Sequence, residues 1–365
     1  MNRRSFLRIS GAAAASLALP IANTGRASAA TPGAPWRTFE VTTHVELLQP
    51  KGISRAWLPL PLAVDTEFQK SLKNSWEAFG GTSRAAEDAR YGVTMVAAEW
   101  AAGVKPVLEL KSRVALRNFA VDLARKPGSA RLDAASRSLF TAPTRLLPTD
   151  GLVLATAQQV TSGVKGGDVA KARAIYNWVC DNSYRDPKTR GCGLGDINSM
   201  LATKTLGGKC ADINALFVGF ARALGIPARD VYGIRVADSQ RGYKALGRSG
   251  DITKAQHCRA EFFANGYGWI PVDPGDVRKV ILEEPPGNLP VDDPKVSAAR
   301  AALFGGWEMN WMAYNYGHDV ILPGCTRGPV PFFMYPQAET ENGLVDWLDA
   351  ATFQYTLNSR EESIS

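Results

Sequence analysis

A cysteine stands where a glycine turn meets a helix, and this segment, residues 206–224, constrains the fold most. Gly207 and Gly208 allow the backbone to turn sharply, and Gly225 supplies a C-terminal stop. Apolar residues recur between them at three- and four-residue spacing and predict one buried helix face: Ile213, Leu216, Phe217, Phe220 and Leu224. Cys210 is therefore expected in the first turn of a helix that packs into the core.

The position of Cys210 suits a nucleophile. Free backbone N–H groups and the helix dipole favour an anion in the first turn, which lowers a thiol pKa from its reference of about 8.5. The alternative is a small buried hydrophobe, the ordinary role of a free cysteine. A second segment decides between the two interpretations.

That segment, residues 257–274, predicts a β-hairpin that turns around Asn265-Gly266. A three-residue loop over 264–266 would place His257 opposite Asp273, with their Cβ atoms about 4.5–5.5 Å apart. A two-residue turn would place Asp273 opposite Cys258 instead. In the first register the carboxylate can hold the imidazole in one tautomer and stabilise its charged form.

The N-terminus predicts an export signal. Residues 2–7, Asn-Arg-Arg-Ser-Phe-Leu, resemble the twin-arginine motif, an apolar core follows over 11–22, and Ala27-Ser28-Ala29 offers a cleavage site. The apolar run is too short and alanine-rich for a stable membrane span. We expect residues 1–29 to be a twin-arginine signal peptide, the export machinery to be a partner, and the mature protein to be periplasmic or otherwise exported.

Composition excludes some classes of function. The formal charge is +7, and it falls to +3 without residues 1–29, which carry four arginines and no acid. No basic run with interleaved aromatic residues is present, so we expect no nucleic-acid partner. The five cysteines include no C-x-x-C pair, and we predict no metal and no cofactor. A Cys180–Cys192 disulfide and reduced structural cysteines both remain open.

Hydrophobic patterning divides the chain into five parts. After the signal, residues 30–125 predict an antiparallel β-sandwich-like domain, with strands over 39–48, 93–97, 107–110 and 114–121 and an edge strand or loop over 57–61. Residues 126–150 form a linker, residues 151–280 an α+β catalytic domain, and residues 281–365 a β-rich extension. Helices are expected over 152–160, 168–182 and 196–202, and strands over 230–236 and 353–357. The extension would pack on the core or cover the cleft, and His318-Asp319 within it is assigned a structural role.

Two motifs resemble the transglutaminase-like superfamily: Gly-Gly-Lys-Cys-Ala-Asp at 207–212, and the histidine followed by Gly-Trp-Ile-Pro-Val-Asp-Pro at 268–274. The resemblance spans residues 168–276 and implies a papain-like α+β core with a Cys-His-Asp triad. Its residues would be Cys210, His257 and Asp273. Cys258-Arg259 departs from the family pattern after the histidine, and Arg259 on the active face would alter substrate contacts.

The predicted chemistry is that of an activated thiol. Cys210 would attack an amide carbonyl, and His257 would protonate the leaving amine. Water would resolve the thioester in a cysteine peptidase or amidase, and an amine would resolve it in a transamidase. Exported proteins and peptidoglycan stem peptides supply the amides. The alternative is a non-catalytic transglutaminase-like module that binds peptides or assembles proteins, which has no need of all three residues.

Overall fold

The computed structural model describes residues 34–362, so the signal peptide expected at residues 1–29 lies outside the described residues. The first part of the described chain is all strand. Its elements are β1 (Arg37–Leu47), β2 (Ser54–Pro59), β3 (Gln69–Phe79), β4 (Thr82–Asp88), β5 (Val93–Trp100), β6 (Val107–Leu116) and β7 (Phe119–Ala120).

The middle of the chain holds the helices. In order they are α1 (Ala134–Thr141), α2 (Gly151–Val160), α3 (Asp168–Asn182), α4 (Ile197–Ala202), α5 (Cys210–Ala223), α6 (Pro274–Glu283) and α7 (Pro294–Ala302). The strands between them are β8 (Tyr184–Arg185), β9 (Gly207–Gly208), β10 (Ala228–Arg235), β11 (Gly250–Asp251), β12 (Gln256–Ala264) and β13 (Gly268–Val272). The predicted helices at 152–160, 168–182, 196–202 and after Cys210 are confirmed within two residues.

Short strands follow α7. They are β14 (Gly306–Trp307), β15 (Trp311–Asn315), β16 (His318–Val320), β17 (Val330–Phe332), β18 (Gln337–Thr340), β19 (Gly343–Leu344) and β20 (Phe353–Glu362). Two of them complete the N-terminal sheets, because β20 pairs with β1 and β18 pairs with β2. The C-terminal residues thus form part of the sandwich.

Two five-stranded antiparallel sheets, ordered β11-β20-β1-β6-β3 and β19-β18-β2-β5-β4, form that sandwich. Alternation in β1 is confirmed: Phe39, Val41, Val45 and Leu47 are buried. Val45 and Leu47 share one apolar cluster with Leu58 of the other sheet. The antiparallel pairing thus places one face of each sheet against the other, as alternating strands require.

Three details of the sandwich prediction are wrong. The segment at 57–61 is not an edge or loop, since β2 is central in its sheet with β18 on one side and β5 on the other. Its second neighbour comes from more than 270 residues away, which local pattern cannot show. Residues 107–110 and 114–121 form mainly one strand, β6. The polar strands β3 and β4 were missed because much of each is exposed and lacks apolar alternation.

The second part of the fold is a four-stranded antiparallel sheet, β13-β12-β10-β15, on which α5 packs. Residues Cys210 to Arg222 of α5 are all buried, so the helix is enclosed on every side. Close packing shows at Gly219, where a Cβ would lie 2.1 Å from Ile197 Cδ1. The buried Arg222 donates its Nε–H to the Ala228 carbonyl at 2.8 Å. The α+β class with a preceding β-sandwich is therefore confirmed, and the domain boundaries proposed above stay predictions.

Candidate active site

The turn before α5 is held by the carboxylate of Asp212. Its Oδ2 accepts the Lys209 N–H at 3.0 Å, and its Oδ1 accepts the N–H groups of Leu194 and Gly195 at 3.0 and 2.9 Å. These bonds satisfy the N–H of the residue that caps α5 and tie the 191–195 loop to the helix. Gly193 has φ +90° there, and a Cβ on it would lie 1.7 Å from Asp212 Oδ2. Cys210 is thereby fixed as the first residue of α5.

The same loop brings a second cysteine to the first. The Ala211 N–H donates to the Cys192 carbonyl at 3.0 Å, and Cys192 lowers the pKa of the Cys210 thiol. Cys258 on β12 also lowers the pKa of Cys210. All five cysteines are free thiols. Alternation along β12 predicts that Cys258 projects to the face opposite His257 and so away from the reactive thiol. That expectation is wrong, because the Cys258 face packs on α5, where Phe262 contacts Phe217.

The hairpin β12–β13 has a three-residue loop, but its register differs from the prediction. Ala264 pairs with Gly268 and Phe263 with Trp269, so the loop is residues 265–267. A turn closed by the Tyr267 N–H on the Ala264 carbonyl, with Gly266 at φ +83°, sets this register. If this pairing continued one residue further, Asp273 would lie opposite Arg259 and not opposite His257. The predicted cross-strand His257–Asp273 pair is therefore wrong in register.

The two side chains nevertheless meet, because Asp273 leaves the strand to cap α6. Its Oδ1 accepts the Asp276 N–H at 2.9 Å, and its Oδ2 lies 2.7 Å from His257 Nε2. Asn214, one turn along α5 from Cys210, donates its Nδ2–H to the same Oδ1 at 3.3 Å. The contact thus arises from a helix cap and not from sheet pairing.

A second carboxylate, that of Asp276, also lies against His257. Asp276 Oδ1 lies 3.3 Å from His257 Nε2 and accepts the Arg235 Nη2–H at 2.5 Å. Burial alone would raise the pKa of Asp276, but Arg235 and His257 hold it well below its usual range. Burial and the neighbouring Asp276 raise the pKa of Asp273.

Arg259 lies against the carboxylate of Asp273 and does not line the cavity that holds Cys210. It is 1% exposed, its Nε lies 3.6 Å from Asp273 Oδ2, and its Nη1–H donates to the Glu308 carbonyl. Its guanidinium lies 4.7 Å from the centre of the Trp311 ring. The expected substrate contact of Arg259 is wrong, since the side chain is enclosed by tryptophans and an aspartate.

The electrostatics favour a charged pair. Burial would lower the pKa of His257, but Asp276 and Asp273 together raise it above its ordinary value. The pKa of Cys210 lies well below its usual range, first because of the neighbouring Cys192 and Cys258 thiols and then because of His257. The pKa values of Cys192 and Cys258 are raised, so both thiols remain protonated. Two arginines balance the two carboxylates, and the imidazolium balances the thiolate.

Cys210, His257 and Arg235 lie at the wall of a cavity of about 880 Å³. Cys210 and His257 are only 3% and 4% exposed, so the cavity reaches them through a narrow opening. C-terminal residues form one side of it. Trp347 stacks on Tyr335 at 3.7 Å, and the Tyr335 hydroxyl donates to Cys192 Sγ at 2.9 Å. The C-terminal segment thus both packs on the core and covers the cleft.

The structure brings Cys210, His257 and Asp273 together, and it adds residues that the sequence interpretation missed. Asp276 and Asn214 carried a weak signal, since an aspartate cap followed by an acid three residues later turns both carboxylates to one side. Cys192 carried none, because its place depends on the folded loop. His318 is buried 3.2 Å from Asp230 Oδ2 and lines neither large cavity, in keeping with a structural role.

Comparison with known proteins identifies the family of the core and the export signal. The model of the transglutaminase-like superfamily matches residues 154–274, and that of the twin-arginine translocation signal matches residues 1–20. An uncharacterised protein of Haemophilus influenzae is 32% identical over 343 residues, which are 88% of this chain and 91% of that protein. The crystal structure of a candidate cysteine protease from Cytophaga hutchinsonii shares the fold, with a TM-score of 0.54 at 14% identity over 91% of this chain and 92% of that one.

The signal sequence directs the chain to the twin-arginine machinery and across the membrane to the periplasm. Within residues 34–362, no helix has the length and apolar character needed to cross a bilayer. The matched core carries both the cysteine helix and the histidine hairpin, and the Haemophilus influenzae relative covers most of the chain. The chain belongs to the transglutaminase-like superfamily.

Proposed function

We propose that this protein is a periplasmic thiol enzyme that acts on amide bonds through Cys210, His257 and Asp273. The observation that carries the proposal is the thiol itself. Its pKa is lowered by two neighbouring thiols and by His257, whose Nε2 is held by a carboxylate, and it lies at the wall of a cavity. A buried thiol with only a packing role has no need of that histidine or of that opening.

The geometry suits nucleophilic catalysis. Because Nε2 of His257 faces Asp273, Nδ1 is the ring nitrogen left for Cys210. The Cys210 thiolate attacks the carbonyl carbon, a C–S bond forms, and the C–N bond breaks as His257 gives its proton to the leaving amine. Water deprotonated by His257 then cleaves the thioester and releases a carboxylic acid and the free thiol. An amine in place of water gives a new amide.

Two N–H groups are assigned to the oxyanion that forms in the first step. One is the backbone N–H of Cys210, which has no intrahelical acceptor as the first residue of α5. The other is the side-chain amide of Gln256, which lines the cavity and has no hydrogen-bond partner among the described residues. Gln256 lies two residues before Cys258 on β12, so it shares the face that meets Cys210. Such donors contribute roughly 10²–10³ in rate.

The substrates we propose are peptide amides of exported proteins or of peptidoglycan stem peptides. The test incubates mature protein with peptidoglycan fragments and with periplasmic peptides, and follows products by mass spectrometry. Hydrolysis adds the mass of water, and transamidation loses ammonia or exchanges an amine. Hydroxylamine would trap the acyl group as a hydroxamate.

Cys210→Ala should abolish both products, whereas Cys325→Ala, a half-buried thiol remote from the cavity, is the matched control. Full turnover in Cys210→Ala would refute the catalytic proposal. Tight peptide binding without turnover or acyl-enzyme in the unmodified protein would instead establish the binding module.

A further inference from the structure

The cavity that holds Cys210 is lined by cations. Seven lysine and arginine side chains contribute to its wall, against the single carboxylate of Glu283. Much of this charge is already compensated. Arg235 pairs with Asp276, and Arg185 and Lys279 both approach Glu283. The four remaining cations are the ones available to a ligand.

Those four are Lys209, Lys244, Arg248 and Lys254. None of them forms an ion pair within residues 34–362, although Arg248 donates its Nε–H to the Asp251 carbonyl at 2.8 Å. The exposed carboxylate of Asp251 is influenced by Arg248 and Lys254 and offsets one charge. About three positive charges thus remain in the wall of one cavity.

The adjoining cavity has the opposite balance of charge, with more carboxylates than cations in its wall. It measures about 850 Å³ and is separated from the first by Trp347 and Leu348, which line both. Its wall carries the carboxylates of Asp196, Asp212 and Asp346 and one cation, Arg190. The positive charge is therefore a property of the Cys210 cavity and not of the surface in general.

Resting on the function proposed above, we propose that this cavity selects anionic peptides, namely amide substrates with carboxylate groups close to the reacting carbonyl. A cleft lined by one sign of charge raises the local concentration of the opposite sign and speeds its association. Lys244 and Lys254 lie on the exposed rim, and Lys209 lies beside the nucleophile. The rim would attract the substrate, and Lys209 would contact a carboxylate next to the acyl group.

Two small alkylating reagents test the charge of the Cys210 cavity without any substrate. Iodoacetate and iodoacetamide alkylate the same thiol, but only iodoacetate is an anion. The readout is the ratio of their rates at Cys210, located by peptide mapping, so that any change in thiol reactivity common to both reagents cancels. We expect the ratio to fall about tenfold in Lys244→Gln/Lys254→Gln and to fall similarly in the unmodified protein at 0.5 M salt.

Two variants control this experiment. Lys73→Gln removes an exposed cation from β3, far along the chain from the cavity, and should leave the ratio unchanged. Lys244→Arg/Lys254→Arg keeps the charge and should keep the ratio. A ratio that is unaffected by Lys244→Gln/Lys254→Gln, or that falls equally in Lys73→Gln, would overturn the inference.

Peptide pairs then connect charge to turnover. Peptides that differ only by glutamate or glutamine beside the reacting amide should differ about tenfold in kcat/KM in favour of glutamate, mainly through KM. The preference should disappear in Lys244→Gln/Lys254→Gln. Equal use of both peptides would contradict the inference while leaving the thiol enzyme intact. A normal reagent ratio without turnover of any amide would contradict the proposed function alone.

Discussion

His257 and His318 are both buried on strands with a carboxylate within 3.2 Å, yet their protonation is shifted in opposite directions. Burial lowers the pKa of each. At His257 two carboxylates, Asp276 and Asp273, outweigh burial and raise the pKa. At His318 burial outweighs Asp230, and the nearby Arg222 cancels part of that charge, so the pKa is lowered.

The surroundings of His257 and His318 also differ. His257 lowers the pKa of the Cys210 thiol and lines the large cavity, whereas His318 packs among the rings of Tyr91 and Tyr232. A histidine beside an acid is therefore not by itself a catalytic group. The number of carboxylates at the imidazole and its access to a thiol and a cavity distinguish the two histidines.

The largest expected difference between the two sites is in turnover. His257→Gln should lower kcat/KM by about 10³–10⁴, because both the base and the positive partner of the thiolate are lost. His318→Gln should change kcat/KM by no more than about twofold in protein that is folded by circular dichroism. Comparable losses in both variants would break the distinction drawn between the sites.

The next effect concerns the oxyanion donor, which has no counterpart around His318. Gln256→Ala should lower kcat by about 10²-fold with a small change in KM, because the donated N–H acts when charge develops on the carbonyl oxygen. Gln256→Glu should be at least as poor, since it places an acceptor there. Steady-state kinetics measure both, and an unchanged kcat in Gln256→Ala would remove Gln256 from the mechanism.

A third test removes the second carboxylate. Asp276→Asn should move the alkaline limb of the pH–rate profile to lower pH, because Asp276 is one of the two carboxylates that raise the pKa of His257. Asp319→Asn, beside His318, is the matched control and should leave the profile in place. An alkaline limb that stays fixed in Asp276→Asn would show that Asp273 alone sets the protonation of His257.

The smallest effect is on the pH dependence of stability, where the two histidines should act with opposite sign. A raised folded pKa means that His257 stabilises the fold most below its unfolded pKa of about 6.5, and that this contribution is lost as pH rises through the folded value. His318 has a lowered pKa, so its contribution is present above about 6.5 and is lost as pH falls.

Melting temperatures at pH 5.5 and 8 measure this difference, with Cys210→Ala as the background so that the thiol does not titrate. His257→Asn should cost more at pH 5.5 than at pH 8, and His318→Asn should cost more at pH 8. The same sign for both would contradict the opposed shifts.

The sequence predicted most of the catalytic half of the fold because its signals are local. The stripe from Ile213 to Leu224, the stop at Gly225 and the hairpin turn all act within a few residues. The hairpin register was wrong because the position of two glycines, 266 and 268, shifted the loop by one residue. The His257–Asp273 contact survived that error because the cap of α6 turns Asp273 back toward the histidine.

What the sequence did not predict depends on distant segments. Pairing of β2 with β18 made a central strand of a predicted edge, and the loop that carries Cys192 meets Cys210 only in the folded chain. Arg259 was correctly placed beside the active face, but its burial between two tryptophans and Asp273 follows from residues 307–311, fifty positions further on.

The central claim, an acid-paired histidine that maintains a thiolate, is tested most directly by alkylation of the five cysteines at pH 6 with iodoacetamide, followed by peptide mapping. An ordinary thiol is almost entirely protonated at that pH. We predict that Cys210 is labelled first, that His257→Ala raises the pH needed for labelling, and that His318→Gln does not. First labelling of Cys180, Cys192, Cys258 or Cys325, or a Cys210 rate indifferent to His257, would contradict the account.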